Sequence, residues 1–396
     1  MFTINNAITF VAVLMGVAGG LLALEKYTKW KIFNVVPPLV WMYVILMILC
    51  TLGIFNDPEG VCSSTYSALK NNLLYAMIFV MLLRCDFKKL AKLSGRLIAI
   101  FLAGSITIGI GFLLGYPIFK STLGNDTVGA TAALYASWVG GSANMAAMQE
   151  AVQVDAGAYA CALALDTVWY SLWIAILLLV VRFAPKWDNA TKADTSKLQA
   201  IAEAANEEVA KEKKKATAAD WIFLIGLSLA VSALSQWIGG VMKDGLANIG
   251  LAMFDKGTCV TLFVTVLGIV CALTPLGKLP AVEELSSVYL YAVVALLAST
   301  ASLTDLISAP MWVVFGLFIL VVHTVLMFIL SKVFHWDLCM VSTSSLANIG
   351  GSASAPIVAS AYNPSYAGIG VLMGVLGAAV GNFAGLGMNA LLQLFK

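Results

Sequence analysis

Twelve apolar stretches follow one another along the chain, at residues 7–24, 35–55, 66–83, 97–119, 127–152, 156–181, 221–242, 257–274, 286–302, 309–333, 338–361 and 366–395. A helix needs about 20 apolar residues to cross a hydrocarbon layer, so this pattern dictates an all-α polytopic membrane protein. Only 11% of the residues are charged, against roughly 25% in soluble proteins. The net charge of +2 forms no basic stripe, and no nucleic-acid partner is expected. Residues Met1 to Asn6 carry no basic n-region and no small-residue cleavage site follows the first run, so 7–24 reads as a retained span. The seven cysteines show no CxxC pairing and read as small core residues rather than as metal ligands.

The stretches divide six and six around a polar segment, giving a first membrane unit at 1–181, a charged linker at 182–220 and a second membrane unit at 221–396. The linker mixes Lys211, Lys213, Lys214 and Lys215 with Glu203, Glu207, Glu208 and Glu212 in an alanine-rich background, the composition of a solvated, helix-prone connection. The two units echo each other. Gly140-Gly141-Ser142-Ala143 matches Gly350-Gly351-Ser352-Ala353 at an offset of 210, and Leu74-Tyr75-Ala76 matches Leu290-Tyr291-Ala292 at an offset of 216. Two ordered matches at nearly one offset are the mark of an internal repeat.

Charge then decides the topology. If all twelve stretches crossed, the basic connections 25–34 and 84–96 would lie opposite the basic linker, against the positive-inside rule. If instead 127–152 and 338–361 dip in and return, turning at their Gly-Gly-Ser sequences, each half has five crossings and the halves become inverted. Eighteen Lys and Arg then face the cytoplasm and five face outward. The expectation is two inverted repeats with one re-entrant hairpin each, both termini outside and the linker in the cytoplasm. Crossing broken helices are the alternative.

Backbone that leaves the helix inside a membrane must be buried in protein or line a wet cavity. The glycine pairs permit such breaks. The helix starts after them carry a partial positive charge that suits an anionic group. Candidate solute-binding residues are therefore Gly140, Gly141, Ser142, Asn144, Asn348, Gly350, Gly351, Ser352 and Ser354. Asp166 sits mid-run in 156–181, where a carboxylate is costly unless it meets protein, water or a cation. With Thr167 and Ser137, and with Asn382 as the nearest polar candidate in the other half, it is the expected coupling-ion residue for sodium or a proton. His323 lies mid-run and reads as a packed hydrogen-bonding residue before a proton relay. Glu150, Asp155 and Asp305 read as solvated. HExxH, P-loop and nucleophile-elbow motifs and Cys/His metal spacings do not occur, so no enzyme activity and no cofactor beyond a coupling ion are expected.

At Gly140-Gly141-Ser142-Ala143-Asn144-Met145-Ala146-Ala147 and Asn348-Ile349-Gly350-Gly351-Ser352-Ala353-Ser354-Ala355-Pro356 the chain resembles the YjcL-like family of multi-span membrane proteins, a domain of unknown function. It is also similar to inverted-repeat secondary carriers such as the bile-acid:sodium and glutamate:sodium symporters and cation:proton antiporters. That resemblance implies a core domain with two interrupted elements moving against a scaffold that dimerises. The tips depart from the Gly-Gly-x-Gly of glutamate and citrate carriers, with Ala143 and Ala353 in the fourth place. Together these readings predict a secondary active transporter in the cytoplasmic (inner) membrane, a homodimer in contact with lipid. It would move a small organic anion with sodium or protons by elevator-like alternating access. A cation:proton antiporter and a membrane sensor or assembly subunit are the alternatives.

Overall fold

The computed structural model describes residues 3–56, 58–83, 95–124, 127–193, 195, 198, 216–248, 256–301 and 309–395, all helices and connections. The lysine cluster of the linker and Asp305 lie outside the described residues.

The helices are α1 Ala7–Thr28, α2 Ile32–Val35, α3 Pro38–Thr51, α4 Val61–Leu83, α5 Gly95–Phe119, α6 Thr127–Gly140, α7 Ser142–Ala151, α8 Ala156–Val180, α9 Ala184–Thr191, α10 Ala218–Asn248, α11 Lys256–Ala272, α12 Val282–Ala298, α13 Ala309–Phe334, α14 Leu338–Ile349, α15 Gly351–Tyr362 and α16 Ala367–Leu392. Among the described residues, seven helices are long and apolar enough to cross a membrane: α1, α4, α5, α8 with its continuation into α9, α10, α13 and α16. Helices α3, α11 and α14 are apolar but shorter. Local chemistry fixes several ends. Asn6 caps α1 through Thr9 N–H, Pro38 opens α3, and Asp337 caps α14 through Met340 N–H.

Packing sorts the helices into two groups. Helices α1, α3, α4, α10, α11 and α12 contact mainly each other, and α5, α6 and α8 contact mainly one another and α13 to α16, while α7 packs on α6 and α16 and also on α4, α11 and α12 of the first group. Both halves of the chain run in the same order: three helices of the first group, one long helix of the second, a pair broken at glycine, then another long helix.

The broken pairs fold back as hairpins. Gly141 and Gly351 hold φ of 95° and 71°, a left-handed region that side chains with a Cβ resist. Gly129, early in α6, lies against Val152 and Val154 beyond the end of α7. In the second pair Ser342 Oγ meets Tyr362 Oη at 3.0 Å, again joining the start of one arm to the end of the other. The hairpins open toward opposite ends of α5. Thr127, at the base of the first, meets Tyr116 Oη at 3.2 Å near the C-terminus of α5, whereas Asp337, at the base of the second, accepts from Arg96 at its N-terminus at 3.5 Å.

Helix α16 holds both hairpins by doing without side chains. A Cβ on Gly370 would sit 2.5 Å from Pro356 N and 2.6 Å from Ala355 C, and one on Gly377 would strike Val139 O. One Cβ on Gly385 would sit 2.7 Å from Ala136 Cβ and from Met148 Cγ. Small residues that let backbones touch are how helices associate where lipid removes the hydrophobic drive. Of the six described cysteines, Cys62, Cys161, Cys259 and Cys339 are buried in the core, and Cys50 and Cys271 are half-buried.

Candidate functional site at the meeting of the hairpin tips

The tips of the two hairpins come together beside the middle of α8. Between them lies a cavity of about 200 Å³ lined by Ser137, Gly141 and Ser142 of the first hairpin, Ile349 and Gly350 of the second, Leu163, Asp166, Thr167 and Tyr170 of α8, and Pro37, Leu39 and Val40 at the start of α3. The α8 residues recur at helical spacing, which aligns them on one face. Among the described residues no Lys, Arg or His lines this space.

Asp166 is the buried carboxyl group of the site, 9% exposed. Ser137 Oγ donates to its Oδ2 at 3.1 Å and Trp138 Nε1 to its Oδ1 at 2.9 Å. Both donors come from the last turn of α6, so the carboxylate ties α8 to the first hairpin just before its glycine break. A carboxylate accepts about four hydrogen bonds, which leaves capacity toward the cavity. Thr167 directs its hydroxyl hydrogen to Leu163 O at 2.9 Å and so presents lone pairs.

The other wall is made of helix starts. Helix α7 begins at Gly141, α15 at Gly350 and α3 at Pro37, and no side chain of these N-cap residues caps its helix. Uncapped starts leave N–H groups and a partial positive charge.

The remaining expected residues are distributed otherwise. Gly140 faces α16, where its missing Cβ leaves room for Asn144 Oδ1 and for Gly377 O at 2.8 Å. Gly351 supplies the turn after Gly350. Ser354 Oγ lies against Gly350 and the Tyr170 ring packs on the same glycine. The side chain of Ser352 is outside the described residues. Asn144 and Asn382 do not line the cavity. Asn144 Nδ2 donates to Asn382 Oδ1 at 2.9 Å and to Ala378 O at 3.2 Å, and Asn382 passes the chain to Thr265 Oγ1 at 3.0 Å, joining the first hairpin through α16 to α11. Asn382 thus stands apart from Asp166, Thr167 and Ser137. Asn348 accepts from Ser105 Oγ at 2.6 Å and donates to Phe101 O at 3.3 Å, pinning the second hairpin to α5.

His323 joins four helices. Thr107 donates to Gly104 O at 2.9 Å, so His323 Nδ1, 2.8 Å away, supplies the hydrogen to Thr107 Oγ1. Trp173 Nε1 can only donate, and does so to Ser345 Oγ at 2.9 Å; Ser345 in turn donates to His323 Nε2 at 2.9 Å. A neutral ring satisfies every member. Replacing His323 by Phe should strand these buried partners and cost about 1–3 kcal/mol, read as a lowered melting temperature of the purified protein; an unchanged midpoint would mean the ring does not hold these helices together.

Glu150 is not solvated: it pairs with Lys70 Nζ at 2.6 Å, joining the base of the first hairpin to α4. Burial of the pair follows from the packing of α7 against α4, which one chain segment alone does not reveal. Asp155 caps α8, accepting from Gly157 and Ala158 N–H at 2.9 and 3.1 Å. Sequence reasoning missed Tyr170, Trp138 and the Pro37-Leu39-Val40 wall. The spacing Leu163, Asp166, Thr167, Tyr170 signals the first; nothing local signals the last.

Comparison with known proteins places this arrangement in a family. Residues 12–395 match the model of the family described as protein of unknown function (DUF819). The uncharacterized membrane protein YjcL of Bacillus subtilis (strain 168) is similar over 389 residues at 24% identity, covering 96% of this chain and 94% of the relative. With its apolar helices, this chain is an integral membrane protein, and it belongs to the DUF819 family.

Proposed function

We propose that this protein is a secondary active transporter that carries a small organic solute with an anionic group, coupled to sodium or protons. The observation that carries this reading is the cavity itself. Two hairpins from opposite ends of the bundle put their glycine tips against one buried carboxylate, with helix starts around a space too small for a drug-sized ligand. Glycine-broken helices meeting at mid-bundle are the build by which carriers offer a solute positive helix ends and a cation oxygen ligands. The helix starts of α3, α7 and α15 receive the anionic group; Asp166, Thr167 and Ser137 face the positive partner.

The two packing groups support an elevator-like division, with α5 to α8 and α13 to α16 as the moving core and the others as a scaffold that dimerises in the cytoplasmic membrane. The same order of elements in both halves and the opposed hairpins support inverted repeats, with both termini outside and the linker in the cytoplasm. A cavity of about 200 Å³ favours an organic solute over a bare cation, which sets this reading above a cation:proton antiporter.

The test is uptake by proteoliposomes of the purified protein under an imposed inward sodium or proton gradient, with a radiolabelled panel of small carboxylates and amino acids. Accumulation above equilibrium that collapses when the gradient is dissipated is the expected result. Proton release driven by sodium alone, with no solute uptake, would move the assignment to the antiporter.

A further inference from the structure

The polar atoms around the cavity are sorted by hydrogen-bond capacity. Ser137 has committed its hydrogen to Asp166, and Thr167 has committed its own to Leu163 O. What both show the cavity is lone pairs. Asp166 accepts two bonds and has room for about two more. These three side chains form an acceptor-only surface that asks for a positive donor.

The facing surface has the opposite deficit. Gly141, Gly350 and Pro37 start their helices without a side-chain cap, and a glycine or proline has no oxygen to supply one. The amide hydrogens of the α7 and α15 starts ask for an acceptor; the α3 start adds at most the Leu39 N–H and the partial positive charge of its end, since Pro37 and Pro38 have no N–H and Val40 N–H bonds Pro37 O at 3.0 Å. Because no Lys, Arg or His among the described residues lines the cavity, the anionic partner is held by backbone and the cationic partner by the carboxylate.

From this two-sided deficit we infer that the solute is a small zwitterion, a 2-amino acid type molecule whose ammonium sits on Asp166, Thr167 and Ser137 and whose carboxylate sits on the three helix starts. The inference rests on the transport reading and narrows it: the positive group at Asp166 belongs to the solute rather than to a separate ion. A primary ammonium has three hydrogens to give, and three acceptor side chains await them. The cavity of about 200 Å³ holds at least roughly six or seven waters at about 30 Å³ each, which is the size of a small amino acid with its side chain against Leu163, Leu39 and Ile349.

The test uses matched probes on the full-length purified protein: L-alanine, propionate and ethylamine, with L-leucine, 4-methylpentanoate and isoamylamine as a larger set, each titrated with and without sodium chloride. Binding is read by calorimetry and by melting temperature. The expected result is that one or both amino acids bind at least about tenfold tighter than their deaminated and decarboxylated counterparts, since a site built to pair a polar group rejects analogues that lack it. Asp166→Asn should remove that preference, and Thr167→Val, which keeps the volume, should reduce it severalfold if Asp166→Asn proves unstable. Carboxylates that bind as tightly as the amino acids in sodium would overturn the inference and leave the carrier standing, with sodium as the positive partner. Tight binding of the amines alone, or of none of the probes, would also overturn it, and gradient-driven uptake would then judge the transport reading separately.

Discussion

Replacing Gly377 by valine should prevent the first hairpin from seating, with a loss of about 3 kcal/mol or more of stability and little or no folded protein recovered from the membrane. A Cβ at this position would overlap Val139 O, a backbone atom on the last turn of α6, and backbone cannot swing aside as a side chain tip can. Gly370→Val should do the same at the second hairpin, where Ala355 and Pro356 present only backbone within 2.8 Å. Gly226, whose Cβ would meet nothing within 4 Å, is the control, and Gly226→Ala should leave yield and melting temperature unchanged. Yield after detergent extraction and the melting midpoint check all three. A Gly377→Val protein as stable as its parent would mean that α16 and the first hairpin do not touch as described.

Asp166→Asn carries the largest functional effect. The substitution keeps the size and one oxygen, which the Trp138 indole needs as an acceptor; the amide nitrogen then takes the place of Oδ2, so Ser137 must turn its hydroxyl to accept and part of an acceptor surface becomes a donor. The loss of one charge-assisted contact is worth about 1.5–3 kcal/mol, a fall in solute affinity of roughly 10- to 150-fold, and coupled accumulation should vanish with it. Retention of the gel-filtration profile and melting midpoint separates loss of transport from loss of fold. Uptake at the parent rate and with the parent gradient dependence would remove Asp166 from the site. A milder expectation concerns Lys70 and Glu150, which bridge α4 and the base of the first hairpin at 2.6 Å. If the two helix groups move past each other, this pair must open, so Glu150→Gln should change the rate of uptake more than the affinity for solute, measured as maximal velocity against half-saturation.

Much of this arrangement is legible in the chain because membranes restrict the choices. Apolar length marks the helices, since no other element spans lipid without exposing backbone polar groups. The Gly-Gly-Ser pairs mark the tips, since few other sequences tolerate a break there. Asp166 stands out because carboxylates are rare in such runs. What is not legible depends on contacts between distant segments. Asn144 and Asn382 are 238 positions apart and bond to each other at 2.9 Å, so residues assigned separately to solute and ion by their place in the chain form one link between the first hairpin and α16, away from the cavity. The start of α3 carries no polar or broken-helix signal, and only the packing of α3 against α8 brings it to the cavity. Glu150 reads as solvated because its partner, Lys70, lies on another helix.

The same distinction sets the value of the site residues. Ser137, Gly141, Ser142, Gly350, Asp166 and Thr167 share one cavity, and their chemistry can be tested together. Gly140, Asn144, Asn348 and Asn382 act through the packing of the hairpins on α5 and α16, and their replacement should lower stability before it alters selectivity.

The central claim is that the cavity between the hairpin tips opens in turn to the two sides of the membrane. Ser142 lines it at the first turn of α7, and Ser142→Cys changes one atom. The direct measurement is labelling of that cysteine, above the background of the parent chain, by a membrane-impermeant maleimide applied to right-side-out and to inverted vesicles. Modification from both sides, slowed by a solute that the protein accumulates, is the predicted result. Modification from one side alone, indifferent to solute and gradient, would contradict it.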